Sequence, residues 1–280
     1  MLHAGAVSRD DLATELLAAL DAGDLALEFQ PERRIAGAMG QAGTIWSVEA
    51  LVRWRHLRRG VVPPDVFLPM AEETGLIERI GSWVLRQAVA QVRTWQASDP
   101  AYAGLSVAVN LSPRELARDD LVADVRQVLA EHDMEPGTLT VEITEAALDR
   151  DRSVATATLD ALRQTGVRIA LDDFVGGQDL LSRLHGVPLD ALKLDPSLIA
   201  GLGSADADDA LRSVLSTARN LGLQTIGEGV ETRQQLIALR NQGCDLAQGY
   251  FFGKPLGAAG ISAVLRAERR PRGHPTSGSR

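Results

Sequence analysis

TLDALRQTGVRIALDD, residues Thr158–Asp173, carries the whole fold in one unit. Its first half closes an amphipathic helical pattern that begins at Asp151 and runs to Thr165. Gly166 follows, where a glycine supplies the left-handed turn that ends a helix. The next residues, Arg168–Asp172, form a short apolar run of strand length. Two adjacent aspartates, Asp172 and Asp173, close it.

The unit repeats outward in both directions. Gly222 and Gly243 each end a helical pattern just before another apolar run. Candidate strands are Leu25–Gln30, Trp46–Trp54, Leu105–Leu111, Leu139–Thr144, Arg168–Asp172, Ala191–Asp195, Gln224–Glu228 and Leu246–Tyr250. Helical patterns fall at Glu78–Trp95, Asp119–His132, Asp151–Thr165, Asp206–Leu221 and Arg233–Gln242. A helix–glycine–strand series predicts a parallel sheet covered by helices, and eight strands in about 250 residues predict a single-domain α/β fold, a closed TIM-like (β/α)8 barrel. An open doubly wound sheet is the structural alternative. Residues 1–24 read as a lead-in with an amphipathic helix over Ser8–Gly23, residues 25–265 as the barrel, and residues 266–280, rich in arginine with two prolines and a Gly-Ser end, as a disordered tail. Glu32–Gly43 reads as a Gly/Ala-rich loop. Asp119 and Asp151 stand where helix caps are expected.

Composition narrows the function. The 280 residues carry 29 Lys plus Arg against 37 Asp plus Glu, a formal net charge of −8. That field repels a nucleic-acid polymer, and an anionic substrate requires local cations to overcome it. The single cysteine, Cys244, excludes a disulfide framework and a thiolate zinc cluster and fits a reducing, cytoplasmic setting. No apolar run reaches the ~18 residues of a membrane span, and the first residues lack the pattern of a secretory signal.

The charges fall at informative places. Glu49 lies within WSVEALVRW, Asn110 ends SVAVN, Glu142 sits in LTVEIT, Asp172 and Asp173 close RIALDD, Lys193 and Asp195 sit in ALKLD, Glu228 closes QTIGE, and Gln248 lies in the last strand. In a barrel of this kind the strand ends converge on one face. A ring of acids there requires cations or protons. Oxygen donors with no histidine nearby favour magnesium, manganese or calcium over zinc. Adjacent aspartates can serve a pair of metals about 4 Å apart, the arrangement used for phosphodiester hydrolysis, and Lys193 can orient a water and offset phosphate charge. Taken singly, each such acid reads more readily as a cap or surface charge, and Arg53 as a solvated charge on a strand; it is their recurrence at matching strand positions that points to a site.

Nine segments in order also carry a resemblance: FQP (Phe29–Pro31), VEALVRWRH (Val48–His56), PPDVFLPMAEETGLIERIGSWVL (Pro63–Leu85), VNLS (Val109–Ser112), VEITE (Val141–Glu145), ALDDF (Ala170–Phe174), LKLD (Leu192–Asp195), GEGVET (Gly227–Thr232) and GCDLAQGYFFGKP (Gly243–Pro255). Together they resemble the EAL family of cyclic di-GMP phosphodiesterases, over about Leu25 to Leu265. The resemblance implies hydrolysis of one phosphodiester of cyclic di-GMP to linear pGpG with two Mg2+ or Mn2+ ions. It implies Glu49, Asn110, Glu142, Asp172, Asp173 and Glu228 as metal ligands and Asp172 as the bridge. Lys193 would position the attacking water, with a base-like role also assigned to Glu228. Asp195 and Gln248 would complete the inner site, Gln30 and Arg53 would contact substrate, and Glu145 would anchor the loop after the fifth strand. A homodimer is a further expectation from the family.

The chain departs from the family in one loop. After ALDDF the family usually continues GTGYSSL, and here it reads VGGQDLL, Val175–Leu181. In the family that loop supports metal binding and couples dimerisation to catalysis. The departure sets up the alternative expectation of a receptor or interaction module that binds cyclic di-GMP without cleaving it. Pro196, where an arginine is common, and a longer loop before Glu49 are smaller departures.

Overall fold

Alternating side chains along short strands, joined through helices, close the sheet on itself. The computed structural model describes residues 9–36, 43–149, 151–176, 184 and 186–269. In chain order it contains α1 (Arg9–Ala22), β1 (Leu25–Arg34), β2 (Thr44–His56), β3 (Gly60–Val62), α2 (Pro64–Thr74), α3 (Leu76–Ser98), β4 (Ser106–Asn110), α4 (Pro113–Leu116), α5 (Leu121–Glu131), β5 (Leu139–Ile143), α6 (Glu145–Asp149), α7 (Arg152–Gln164), β6 (Arg168–Phe174), β7 (Ala191–Leu194), α8 (Pro196–Ala200), α9 (Ala205–Asn220), β8 (Gln224–Gly227), α10 (Arg233–Gln242), β9 (Leu246–Ala247) and α11 (Ala258–Arg269). Among these residues no helix is long and apolar enough to cross a membrane.

The strands lie in the order β1-β9-β8-β7-β6-β5-β4-β2, and β1 pairs with β2 to close a ring of eight; β3 is a short hairpin strand on the upper half of β2. This is the expected TIM-like barrel with one exception to the parallel arrangement. β1 runs antiparallel to both β2 and β9. Residues 35–43 between β1 and β2 are too few for the helical crossover that a parallel pair needs, so the two strands form a hairpin.

Each predicted strand is present, with shifted ends. β1 continues through Pro31 to Arg34, so Glu32–Arg34 are strand and not loop. Pro31 is tolerated because its missing N–H faces the gap between the Phe29–Leu256 bridge and the β9 pairing at Arg33. α2 was not anticipated. Its Pro64 sits in the first turn, where a backbone N–H has no helical partner in any case, and Pro69 interrupts only one bond. Arg266–Arg269, expected in the tail, form the last turn of α11; residues 270–280 lie outside the described residues. Asp151 caps α7 by accepting from the Val154 N–H, whereas Asp119 lies two residues before α5, whose N-cap position is Asp120. The lead-in helix α1 inserts Leu16 into the main core.

That core lies between sheet and helices. Val48, Val107, Val109, Val141, Ile143, Ile169, Leu171, Leu192 and Leu194 point outward and pack on Val89, Val92, Leu159, Leu162 and Leu211. Each fully buried aliphatic chain contributes about 1.5–3 kcal/mol. The lumen has a much smaller apolar layer, Ala170, Ala191, Ile226 and Leu246 with Trp46 against them. Trp46 faces inward because the β1–β2 register slips between Glu32 and Arg33, a bulge that turns it into the barrel floor.

Candidate active site

Side-chain alternation decides what reaches the lumen. Glu49 of β2 lies opposite Gln30 of β1, and Asn110 of β4 lies beside Glu142 of β5. Lys193 of β7, Glu228 just beyond β8 and Gln248 just beyond β9 complete the circuit at the strands' carboxyl ends. Gln248 reaches the lumen because the chain bends at Gly249. There φ is 152°, and a Cβ would stand 2.2 Å from the Val230 nitrogen, so only glycine fits.

Lys193 is the hub. It is 1% exposed, and its Nζ lies 2.8 Å from Glu228 Oε1, 3.0 Å from Glu142 Oε2, 3.2 Å from Asp172 Oδ1 and 3.5 Å from Glu49 Oε2. Glu49 is clamped from two further sides. Asn110 Nδ2 donates to its Oε1 at 3.0 Å and Gln248 Nε2 to its Oε2 at 2.7 Å, and Gln248 Nε2 also reaches Gln30 Oε1 at 3.1 Å.

The paired aspartates are placed by a backbone irregularity. The β6–β7 register shifts between Leu171 and Phe174, and Asp173 adopts a left-handed φ of 56°. Aspartate is among the few non-glycine residues that tolerate this conformation. The Asp173 N–H donates to Asp172 Oδ1 at 2.9 Å. Carboxylate oxygens of Asp172, Asp173 and Glu228 all lie within 4.8 Å of one another.

Such crowding shows in the acid strengths. Burial pushes Glu228 up to about 8 against the opposing pull of Lys193, with Asp172 and Glu49 adding to the rise. Burial likewise raises Glu142 well above the ordinary carboxylate range and, with Asp172, raises Asp173. For Glu49 burial is overcome by Lys193 and the amides of Gln248 and Asn110, which hold it below its ordinary value. Lys193 keeps its proton despite burial because Glu142, Glu228, Glu49 and Asp172 surround it. One ammonium group thus faces more carboxylates than it can neutralise, and the excess holds protons. Oxygen-only donors, close spacing and surplus negative charge suit hard divalent cations, which would displace those protons.

All the residues expected at the rim except three meet in this network. Arg53 stands higher on β2 and donates through Nε to Glu28 Oε2 at 2.9 Å. Asp195 caps α8, accepting from the Ser197 N–H at 2.7 Å, close enough to Asp173 to raise it. Glu145 opens α6 directly after β5. Of the altered loop, Val175 is 60% exposed and Gly176 turns at φ 98°, while Gly177–Leu181 lie outside the described residues. One buried acid of the barrel lumen escaped the sequence reading. Glu32 is 2% exposed inside the barrel, where burial raises it to about 7. The alternation Glu28–Gln30–Glu32 signals it, had the strand not been ended before Pro31.

Comparison with known proteins agrees with this geometry. The family model described as EAL domain matches residues 13–255. The bifunctional diguanylate cyclase/cyclic di-GMP phosphodiesterase MucR of Pseudomonas aeruginosa is 38% identical over 266 residues, covering 94% of this chain and 38% of MucR. The cyclic di-GMP phosphodiesterase NbdA of the same organism is 38% identical over 256 residues, covering 91% of this chain and 32% of NbdA. The chain therefore spans about a third of the length of these curated relatives. A solved structure of the PaMucR phosphodiesterase in complex with c-di-GMP superposes with a TM-score of 0.81 at 37% identity, covering 89% of this chain and 99% of that one. A family match over most of the residues, identities near 40% and a shared barrel leave one assignment: the chain belongs to the EAL domain family.

Proposed function

We propose that this chain hydrolyses one phosphodiester bond of cyclic di-GMP to linear pGpG, using two Mg2+ or Mn2+ ions. The observation that carries the reading is the surplus of buried carboxylates around Lys193, with Asp172, Asp173 and Glu228 close enough to share a metal. The phosphodiesterase names of MucR and NbdA and the c-di-GMP complex of PaMucR support the choice of substrate.

Asp172, Asp173 and Glu228 would hold metal, with Glu49, Asn110 and Glu142 completing the ligand set. When bound, the ions lower the pKa of a water and offset phosphate charge. The chain's own residues do the rest. Lys193, charged and buried, orients a water by donating from Nζ and stabilises charge building on the phosphate. Glu228, ionised once a cation displaces its proton, would also take the base-like role that the family resemblance implies. The amides of Asn110 and Gln248 fix the Glu49 carboxylate. Arg53, with Glu28 as its present partner, would hold the anionic ligand at the mouth, with Gln30, Gln248 and Asp195 as further contacts. Glu145 would anchor the loop after β5. We place the reaction in the cytoplasm, the setting that a single buried cysteine fits, and extend the family's homodimer to this chain.

A second reading, binding without turnover, is favoured by one feature: Val175 and Gly176 stand where the family has a different loop sequence. Incubation with cyclic di-GMP and Mn2+, followed by chromatography beside a Glu49→Ala control, separates the two. Release of pGpG by wild type alone supports hydrolysis. Retention of intact cyclic di-GMP with no product supports the receptor.

A further inference from the structure

Beneath the acid ring the barrel encloses a second polar space. Glu32, Trp46, Ser47 and Glu142 line a chamber with about 10 Å3 open to the centre of a water-sized guest. That is the threshold volume for one water. Among the described residues, four atoms on this chamber are buried with no hydrogen-bond partner within 3.5 Å: Glu32 Oε1, Trp46 Nε1, Ser47 Oγ and Glu142 Oε1, the Ser47 hydroxyl standing near enough to Glu32 to draw its carboxyl down. Glu32, Ser47 and Glu142 are 2%, 3% and 1% exposed.

Unpartnered buried polar atoms are rare and costly, and four around one cavity need a common cause. Their chemistry supplies it. Trp46 N–H and Ser47 O–H are donors, and the Glu32 and Glu142 oxygens are acceptors once a cation at the rim has displaced the protons that burial favours on them. Two donors and two acceptors are the complement of one water, which accepts twice and donates twice.

The position of Glu142 gives this chamber a consequence. Its Oε2 accepts from Lys193 at 3.0 Å and faces the rim, while its Oε1 faces the floor. We propose that Glu32 is a positioning residue for the metal site, acting through one water held with Trp46 and Ser47 that donates to Glu142 Oε1 and fixes the carboxylate plane. The inference rests on the metal-site reading above and extends the site through the lumen to the barrel floor. Groups that orient metal ligands from behind typically change metal affinity by about 10- to 100-fold.

The test uses the full chain with Glu32→Gln and Glu32→Leu. Glutamine keeps an oxygen of the same reach, whereas leucine fills the chamber and offers nothing to the water. Folding is checked by circular dichroism, Mn2+ affinity by calorimetry, and turnover of cyclic di-GMP separately. The expected result is Mn2+ binding about 10- to 100-fold weaker in Glu32→Leu and within about threefold of wild type in Glu32→Gln, with both chains folded. In a crystal structure of the wild type, one ordered water within reach of the four atoms is expected. Undiminished Mn2+ affinity in Glu32→Leu, equal weakening in both variants, or a dry chamber would overturn the inference. A wild type that binds Mn2+ without turnover overturns the hydrolysis reading and leaves this one standing. A wild type with no Mn2+ affinity overturns both.

Discussion

β5 shows the molecule's two faces within five residues. Leu139, Val141 and Ile143 point outward into the helix layer, while Thr140 and Glu142 point into the lumen. The same holds for β7, with Leu192 and Leu194 outside and Lys193 inside. Outside, packing is apolar and the requirement is shape, so contacts add to stability. Inside, Glu49, Glu142, Asp172 and Glu228 crowd one lysine. Burying like charges opposes folding and is tolerated where chemistry needs it. One strand thus separates stability from reactivity by a period of two residues, and substitutions on the two faces should fail in different ways.

The sharpest separation comes from Glu49→Ala. It removes a carboxylate held by Lys193, Asn110 and Gln248 and reduces the surplus of like charge. Turnover of cyclic di-GMP should fall by about 1000-fold, close to 4 kcal/mol in the barrier. The melting temperature should stay within about 3 °C of wild type. Steady-state kinetics and calorimetry on the same preparation check both halves, and near-normal turnover would remove Glu49 from the site.

The converse substitution is Leu159→Ala on the buried face of α7. It opens a cavity in the outer layer and should cost about 2–5 kcal/mol of stability, lowering the melting temperature by roughly 5–15 °C. Turnover per folded molecule should be unchanged. A loss of turnover at temperatures where the variant is fully folded would break the division between the faces.

The division was legible in advance only where period and composition coincide. Eight apolar runs with glycine-capped helices between them announced the barrel, and polar residues at their ends announced the rim. What escaped depends on register and on long-range pairing. The bulge that turns Trp46 inward requires knowing that β1 pairs with β2. The antiparallel course of β1 follows from a connection too short for a helix, and the left-handed Asp173 from a slip against β7. Pro31 in β1 and Pro69 in α2 each remove one backbone donor without ending the element they stand in, which local pattern alone does not foretell.

A smaller effect probes the lumen's protons. Glu228 titrates near 8 in the folded chain against an ordinary value of 4.5. Between these values the folded metal-free state holds a proton that the unfolded chain has released. Stability from this group is therefore fully present below about 4.5 and is lost as pH rises through about 8. Glu142 and Asp173 shift in the same direction. A divalent cation replaces those protons, so its benefit should grow with pH. Mn2+ at about 100 times its dissociation constant contributes up to about 2.7 kcal/mol. At fixed Mn2+ concentration the gain in melting temperature should be larger at pH 8 than at pH 6. Equal gains at both would show that the rim carboxylates are already ionised without metal.

The smallest effect lies farthest from the lumen. Asp151 accepts from the Val154 N–H at 3.2 Å and caps α7 on the exposed side of the outer layer. Its carboxyl sits below the ordinary range because backbone Val154 and the Ser153 hydroxyl donate to it. Asp151→Ala leaves the first turn of α7 without its cap and should lower the urea midpoint slightly. Mn2+ affinity and turnover should not move, since Asp151 is exposed and its carboxylate meets only the first turn of α7. Asp151→Ser, which restores an acceptor, should recover most of the loss in urea denaturation. If Asp151→Ala instead weakened Mn2+ binding, the outer layer would transmit strain into Asp172 and Asp173, and the two faces of the strands would be coupled after all.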